Sequence, residues 1–241
     1  MLGGFFLASA MSKTALDAAL FRFTVKLSGT NPRNIVIGLM ATAMIASMLM
    51  SNTACTAMII ASVMPLLTSL GPKSGLGKAV LLGVPIAAST GGMATMIGSP
   101  PNVIAAGALE NAGLSISFLE WMVYGAPVAL VLTAVCCTAL ILVYVKDKTP
   151  ISLAFLETVK EDMSAEMKIQ RKIVLVIITV TVSMWLTGEL HGISVAGVSA
   201  IPIVFLTLTG VLTGKDVRTL PWDTLFLVAG GLSLGVALHH N

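Results

Sequence analysis

Residues 34–69 read NIVIGLMATAMIASMLMSNTACTAMIIASVMPLLTS. The stretch is apolar on both sides of a polar triplet, Ser51-Asn52-Thr53, that stands in its middle. Basic residues flank it at Arg33 and Lys73, and basic residues are typical of the cytoplasmic side of a membrane protein. A segment with two cytoplasmic ends and a polar middle predicts a re-entrant helical hairpin whose tip lies inside the membrane.

The composition supports a membrane environment for the whole chain. Hydrophobic residues make up 56% and charged residues 10% of the sequence, with a mean hydropathy of +0.96. Soluble domains carry about 25% charged residues. The apolar runs are continuous rather than alternating, which favours helices over a membrane barrel. We therefore predict an all-α, polytopic membrane protein, and the scarcity of clustered basic residues argues against a nucleic-acid partner.

The basic residues also predict the topology. They fall into four groups, Lys13 to Arg33, Lys73 with Lys78, Lys146 to Lys172, and Lys215 with Arg218. The breaks at 110–113 and 188–192 contain no Lys or Arg. By the positive-inside rule we place the four groups in the cytoplasm and the two breaks outside.

This topology predicts an order of segments along the chain. Residues 1–145 form a first repeat, 146–171 a charged cytoplasmic connector, 172–221 a scaffold helix pair, and 222–241 the start of a second repeat. Within the first repeat we expect a helix end, an amphipathic interfacial helix over 13–33, the re-entrant hairpin 34–69, a broken helix over 77–109 and a span over 118–145.

The ends of the chain resemble each other. Gly3-Gly4 is followed by an apolar run, as is Gly230-Gly231. The predicted topology runs the first copy inward and the second outward. Small apolar residues recur by chance, but opposite orientations are the mark of inverted-repeat transporters, which form their substrate sites between broken helices.

The predicted broken helix carries an unusual cluster of helix-breaking residues. Two consecutive prolines, Pro100 and Pro101, remove backbone donors, and Asn102 follows them. Gly91 and Gly92 mark a second interruption upstream. Irregular backbone at membrane depth survives where it is buried in protein or lines a cavity. A proline-kinked packing helix is the alternative.

The hairpin tip has the chemistry of an ion site. Ser47 lies four residues before Ser51, so their hydroxyls share a helical face. Asn52 and Thr53 add further uncharged oxygens, and a helix N-terminus at the tip favours an anion. The alternative is an ordinary turn with capping hydroxyls. No basic residue lies in either break, so a bound anion would depend on co-bound cations.

Three motifs carry a resemblance to a known family. They are SMLMSNTA at 47–54, GGMATMIGSPPN at 91–102, and WDTL at 222–225 leading into Gly230-Gly231. In these motifs the chain resembles the divalent anion:sodium symporters, which carry dicarboxylates, citrate or sulfate. The resemblance implies a sodium ion held by Ser47, Ser51, Asn52 and the backbone at Gly98.

The resemblance further implies that Asn52, Thr53 and Ser99 contact a substrate carboxylate. It implies a homodimer of the bacterial inner membrane that moves a transport domain past a fixed scaffold in an elevator-like way. A second Ser-Asn-Thr turn would belong to a second half, so we expect this chain to be the first repeat of a longer protein.

Other functions remain open at this point. A proton-coupled or arsenite-type exporter would share the architecture, and a partial chain could serve as a non-transporting subunit. Gly231 to Gly235 fits the GxSxG pattern, with Ser233 as nucleophile of an intramembrane hydrolase, although that motif belongs on a strand-to-helix turn. A packing face of small residues is the simpler interpretation, and we predict no enzyme.

Overall fold

The computed structural model describes residues 1–146, 151 and 164–239. Within this part of the chain every regular element is helical, which confirms the all-α fold class. Three helices are long and apolar enough to cross a membrane, namely Asn52–Leu70, Phe118–Tyr144 and Ala165–Leu186. Shorter apolar helices accompany them.

The chain begins with two helices joined by a tight elbow. Helix α1 spans Leu2–Lys13 and helix α2 spans Leu16–Ser28. Ala15 in the elbow has φ +50°, a left-handed conformation that non-glycine residues rarely adopt. Helix α2 is amphipathic: Phe21 and Val25 are buried whereas Phe23 is 63% exposed.

A helix–turn–helix hairpin follows. Helix α3 spans Pro32–Ser47, with Pro32 in its first turn, and helix α4 spans Asn52–Leu70. The thiol of Cys55 lies 3.4 Å from the carbonyl oxygen of Ala43, so the two helices run side by side below the turn. The turn falls where Ser51-Asn52-Thr53 interrupts the apolar stretch.

The broken helix differs from the expectation in where it breaks. Helix α5 spans Gly75–Gly92 and helix α6 spans Pro100–Asn111, so residues 93–99 form the break. Gly91 and Gly92 still belong to α5. The prolines start α6 rather than break it, because the first helical turn has no use for the donors that proline lacks.

The next two helices are the longest. Helix α7 spans Phe118–Tyr144 and starts with a capping box between Ser117 and Glu120. Helix α8 spans Ala165–Leu186, seven residues earlier than the span we expected to begin at 172. The predicted connector 146–171 lies largely outside the described residues.

The second helix of the scaffold pair expected over 172–221 is divided into shorter pieces. After helix α9 (Gly188–His191), helix α10 spans Val195–Val198 and helix α11 spans Ala200–Leu208. Helix α12 covers Gly214–Arg218, and helix α13 runs over Trp222–His239. The side-chain hydroxyl of Ser199 bonds to the Val195 carbonyl at 2.8 Å where the pieces meet.

Two separate hydrophobic cores organise these helices. The first is built from α2 to α5 and the C-terminal half of α7. The second is built from α1, α8, α10, α11 and the segments beside α12. Ile97 of the break belongs to the second core, and Phe118 at the start of α7 stacks on Trp185 of α8 with ring centroids 5.2 Å apart. The break therefore lies where the two cores meet.

Candidate functional site

The hairpin tip is a four-residue turn between α3 and α4. The hydroxyl of Ser51 caps α4 by accepting from the N–H of Ala54 at 3.2 Å. The hydroxyl of Ser47, at the last position of α3, donates to Oδ1 of Asn52 at 2.6 Å. Both arms of the hairpin thus contribute one polar side chain to a single contact across the turn.

Burial separates the residues of the tip. Ser47 is fully buried and Asn52 is half-buried, whereas Thr53 is exposed. Ser47 and Asn52 therefore form the inner side of the tip, and Thr53 lies on its outer side.

The break between α5 and α6 is held by one side chain. Asn102, 8% exposed in the first turn of α6, donates both amide protons to backbone carbonyls. Its Nδ2 lies 2.8 Å from the oxygens of Gly92 and Thr95. These two carbonyls face inward because the helix is interrupted there, and Asn102 stabilises them in that position.

The tip and the break contact each other directly. Thr95, 2% exposed, donates from its hydroxyl to the Met48 carbonyl at 2.6 Å. Gly92 has no side chain, and any Cβ at this position would collide with Oδ1 of Asn52. A Cβ at Gly98 would lie 2.7 Å from the Gly92 oxygen and 3.0 Å from the hydroxyl of Thr95. One junction between the tip and the break is therefore surrounded by five residues, Met48, Asn52, Gly92, Thr95 and Gly98.

The structure brings some predicted residues together and leaves others apart. Ser47, Asn52, Gly92 and Gly98 share the junction. Ser99 starts α6 without a side-chain capping bond and is half-buried. Among the hydrogen bonds of the described residues, none joins Ser99 to the hairpin tip.

Helix α7 also contacts the break. The indole Nε1 of Trp121 donates to the Met93 carbonyl at 3.1 Å. One turn further on, a Cβ at Gly125 would lie only 2.7 Å from the same oxygen. Deeper in the helix pair, the hydroxyls of Thr90 and Thr133 lie 2.7 Å apart. Our sequence reasoning missed all of these supporting residues, as it missed Thr95.

The junction offers uncharged oxygen ligands in a region without basic side chains. No Lys or Arg occurs between Arg33 and Lys73 or between Lys78 and Lys146. Hydroxyl, amide and backbone oxygens are suited to a hard cation such as Na⁺, whereas transition metals prefer nitrogen and sulfur. Within the described ranges, no group of three or more His, Cys, Asp or Glu residues is placed to hold a metal ion.

Ser233 of the GxSxG pattern and His191 both make structural contacts. Ser233 lies inside α13, where its hydroxyl bonds to the Ala229 carbonyl at 2.8 Å, and not on the sharp turn that a nucleophile elbow requires. Both ring nitrogens of His191 contact backbone, at Met184 and Ile193.

Comparisons with known proteins identify the family of this chain. The family model described as citrate transporter matches residues 1–240. The chain belongs to the citrate transporter family. An inorganic phosphate transporter of Saccharomyces cerevisiae is 30% identical over 99% of this chain and 25% of its own length. A sodium-dependent dicarboxylate transporter of Staphylococcus aureus is 28% identical over the whole chain and 52% of its own length.

An uncharacterized transporter of Haemophilus influenzae gives a third match, 29% identical over 98% of this chain and 52% of the relative. The chain therefore spans about a quarter to a half of the curated relatives it matches. Membership of the citrate transporter family, together with the apolar helices, makes this an integral membrane protein of a transporter family. The resemblance to the divalent anion:sodium symporters is confirmed.

Proposed function

We propose that this member of the citrate transporter family supplies half of the site of a sodium-coupled symporter for small dicarboxylates. The observation that carries the proposal is the junction of the hairpin tip with the helix break, where Ser47, Asn52 and Gly92 meet. Two interrupted helices that share buried, uncharged oxygens are the usual setting for ion and substrate sites in inverted-repeat transporters.

The proposed sodium site uses the inner side of the tip. Its ligands are the oxygens of Ser47, Ser51 and Asn52 and the backbone at Gly98. Burial supports this choice, since Ser47 and Gly98 are closed off from solvent. A monovalent cation in this position would be coordinated by Oδ1 of Asn52, the oxygen to which the Ser47 hydroxyl now donates.

The proposed anion site lies on the outer side of the same tip. Helix α4 starts at Asn52, and its first N–H groups carry partial positive charge. Thr53 is exposed there and can donate a hydroxyl proton to a carboxylate oxygen, as can Ser99 from the start of α6. Without basic residues, a divalent anion needs the nearby sodium charge, and this need would couple the two solutes.

The names of the relatives suggest two classes of anion as candidate substrates. A dicarboxylate is the substrate named for the Staphylococcus aureus relative, and inorganic phosphate is named for the yeast relative at a similar identity. Phosphate is therefore the second candidate, because hydroxyl and helix N-terminal donors bind its oxygens as well. A bacterial inner-membrane location is part of the proposal.

The two hydrophobic cores support an elevator-like mechanism. The first core holds the hairpin and α5, and the second holds α1, α8 and α11. We propose that the first core moves with the site while the second stays fixed in a homodimer. The break touches the second core through Ile97, and at Gly4 of α1 the facing surface has no side chain: a Cβ there would lie 3.3 Å from Ile97.

Uptake by the full-length gene product tests the proposal. Vesicles containing it are given labelled succinate, citrate, sulfate or phosphate, with an inward gradient of Na⁺ or of K⁺. We expect Na⁺-dependent uptake of a dicarboxylate. Ser47→Ala and Asn52→Ala should raise the Na⁺ concentration for half-maximal uptake roughly tenfold, as loss of one bond worth about 1.4 kcal/mol would do.

Ser62→Ala is the matched control. Ser62 lies in the same hairpin, and its hydroxyl bonds only within its own helix, to the Met58 carbonyl at 2.9 Å. Uptake that does not depend on Na⁺ but increases with an inward proton gradient would favour the proton-coupled alternative. Unchanged Na⁺ dependence in Asn52→Ala would remove the proposed site, and absence of uptake of all four anions would favour a non-transporting subunit.

A further inference from the structure

An apolar groove lies between the interfacial helix α2 and the spanning helix α8. Its volume is about 360 Å³, within the range of ligand pockets. The lining includes Leu16, Ala19 and Phe23 of α2, Leu175 and Ile178 of α8, and Met11 of α1. Phe23 is 63% and Leu175 46% exposed, so the groove opens outward.

The groove lies between the two hydrophobic cores. Leu16 and Ile178 pack against the second core, whereas Leu20, which also lines the groove, packs against the first. An empty space between helices in hydrocarbon loses dispersion contacts, so an apolar occupant is favoured there. The elongated partner available in a bilayer is an acyl chain.

Basic residues lie on the same helical faces as the groove lining, about one or two turns away. On α8, Lys168 and Lys172 precede Leu175 by seven and three residues, so all three share one helical face. On α2, Lys26 follows Phe23 by three residues. All three lysines are exposed. The predicted topology places this end of α8 in the cytoplasm, at the depth of lipid head groups.

Arg171, beside them, has a different role. Its Nε donates to the Thr14 carbonyl at 3.0 Å and its Nη2 to the Ala15 carbonyl at 2.9 Å. These bonds hold the elbow whose left-handed Ala15 sets the direction of α2. The guanidinium thus links α8 to the elbow at one end of the groove.

We infer that this groove binds an acyl chain of an anionic phospholipid, with the lipid phosphate against Lys168 and Lys172. The apolar lining fits the chain, and the lysines provide positive charge where its head group would lie. A zwitterionic lipid offers the same chain but no net charge, so the lysines select for an anionic head group. The inference does not depend on the proposed transport activity.

Native mass spectrometry of the full-length protein in detergent tests this binding. Phosphatidylglycerol and phosphatidylcholine of equal chain length are added in turn. Ala19→Trp fills the groove, and the double variant Lys168→Gln/Lys172→Gln removes its charge. We expect either change to weaken phosphatidylglycerol retention roughly tenfold, while phosphatidylcholine binding stays weak in the wild type.

Two controls match these variants. Val176→Trp places the same bulk on an exposed face of α8 outside the groove, and Lys73→Gln/Lys78→Gln removes two lysines at the base of the hairpin. Both should retain phosphatidylglycerol as the wild type does. If Ala19→Trp fails to fold, the lysine double variant carries the test.

Three results would overturn the inference. One is equal retention of the two lipids by the wild type. Another is full phosphatidylglycerol retention by a folded Ala19→Trp or lysine variant. The third is a photo-crosslinker attached at Leu20→Cys that joins another protein segment rather than lipid, since a protein helix would then fill the groove.

Discussion

The hydroxyl of Thr95 and the carbonyl oxygen of Met48 lie 2.6 Å apart, one in the break after α5 and the other in the turn after α3. This bond joins two interrupted helices across 47 positions of sequence. It satisfies a carbonyl that the end of α3 leaves without a helical partner. The hairpin tip and the break are therefore held as one unit.

Removing the Thr95 hydroxyl should loosen that unit. Thr95→Val keeps the shape of the side chain but leaves the half-buried Met48 carbonyl without its donor, at a cost of about 1–3 kcal/mol. We expect a lower unfolding temperature and a Na⁺ requirement for uptake raised roughly tenfold or more. Thr95→Ser keeps the donor and should stay close to wild type. Equal behaviour of the Val and Ser variants would show that the bond contributes nothing.

A methyl group at Gly92 should damage the site directly. Gly92→Ala places a Cβ against Oδ1 of Asn52, so the tip or the end of α5 must move. We expect transport to fall at least tenfold, since small displacements of binding groups have effects of this size. The measurement is initial uptake rate together with unfolding temperature.

Gly230→Ala is the control for this change. Gly230 is also helical, but nothing lies within 4 Å of a Cβ there. Alanine favours helix over glycine by up to about 1 kcal/mol, so the variant should be unchanged or slightly more stable. A Gly92→Ala protein that transports like Gly230→Ala would contradict the close contact with Asn52.

The hairpin could be predicted because its signals are local. A polar triplet inside an apolar run with basic flanks indicates a turn, and α3 and α4 do meet at Ser51-Asn52-Thr53. Ser47 also contacts Asn52, five residues away. Helical spacing over such short separations determines which side chains can meet.

The supporting contacts could not be predicted because they join distant positions. Trp121 is 28 residues from the Met93 carbonyl it contacts, and no periodicity in α7 indicates that partner. The position of the break was also misjudged: proline is compatible with a first helical turn, so Pro100 starts α6. Asn102 could have been recognised as the residue that bonds the freed carbonyls, since its amide carries two donors.

Loss of the amide donors of Asn102 should lower both stability and transport. Asn102→Asp replaces the amide by a carboxylate, which would face the oxygens of Gly92 and Thr95 without a proton to share. Asn102→Ala removes the donors without adding charge. The buried Gly92 carbonyl then loses the Asn102 bond, at a cost of about 1–3 kcal/mol, while the Thr95 carbonyl keeps its bond from the Gly98 N–H. We expect both variants to lose stability and transport at neutral pH, with Asp the more damaging. Unfolding temperatures measured by intrinsic fluorescence give the stability order of the wild type and the two variants. An Asn102→Asp protein as stable as the wild type would refute the prediction.

Two carboxylates near the elbow should give opposite pH effects. Burial raises the pKa of Asp17 above its ordinary value, although the N–H of Ala18 and the charge of Arg171 oppose the shift. The hydrogen bonds from Lys13 and Thr213 lower the pKa of Asp216 to about 2. The Lys13–Asp216 ion pair, with a distance of 2.6 Å, links α1 to α12.

The signs follow from proton binding. As pH rises from about 4 through the raised pKa of Asp17, the folded state holds a proton that the unfolded state has lost, so the free energy of unfolding falls. Asp216 contributes stability above pH of about 4, which is lost as pH falls toward 2. At pH 7, Asp17→Asn should therefore raise the unfolding temperature. Asp216→Asn should lower it slightly, since partly exposed pairs contribute at most about 1 kcal/mol. Unfolding temperatures measured from pH 3 to 8 check both signs, and a decrease for Asp17→Asn at pH 7 would mean that the Arg171 charge outweighs burial.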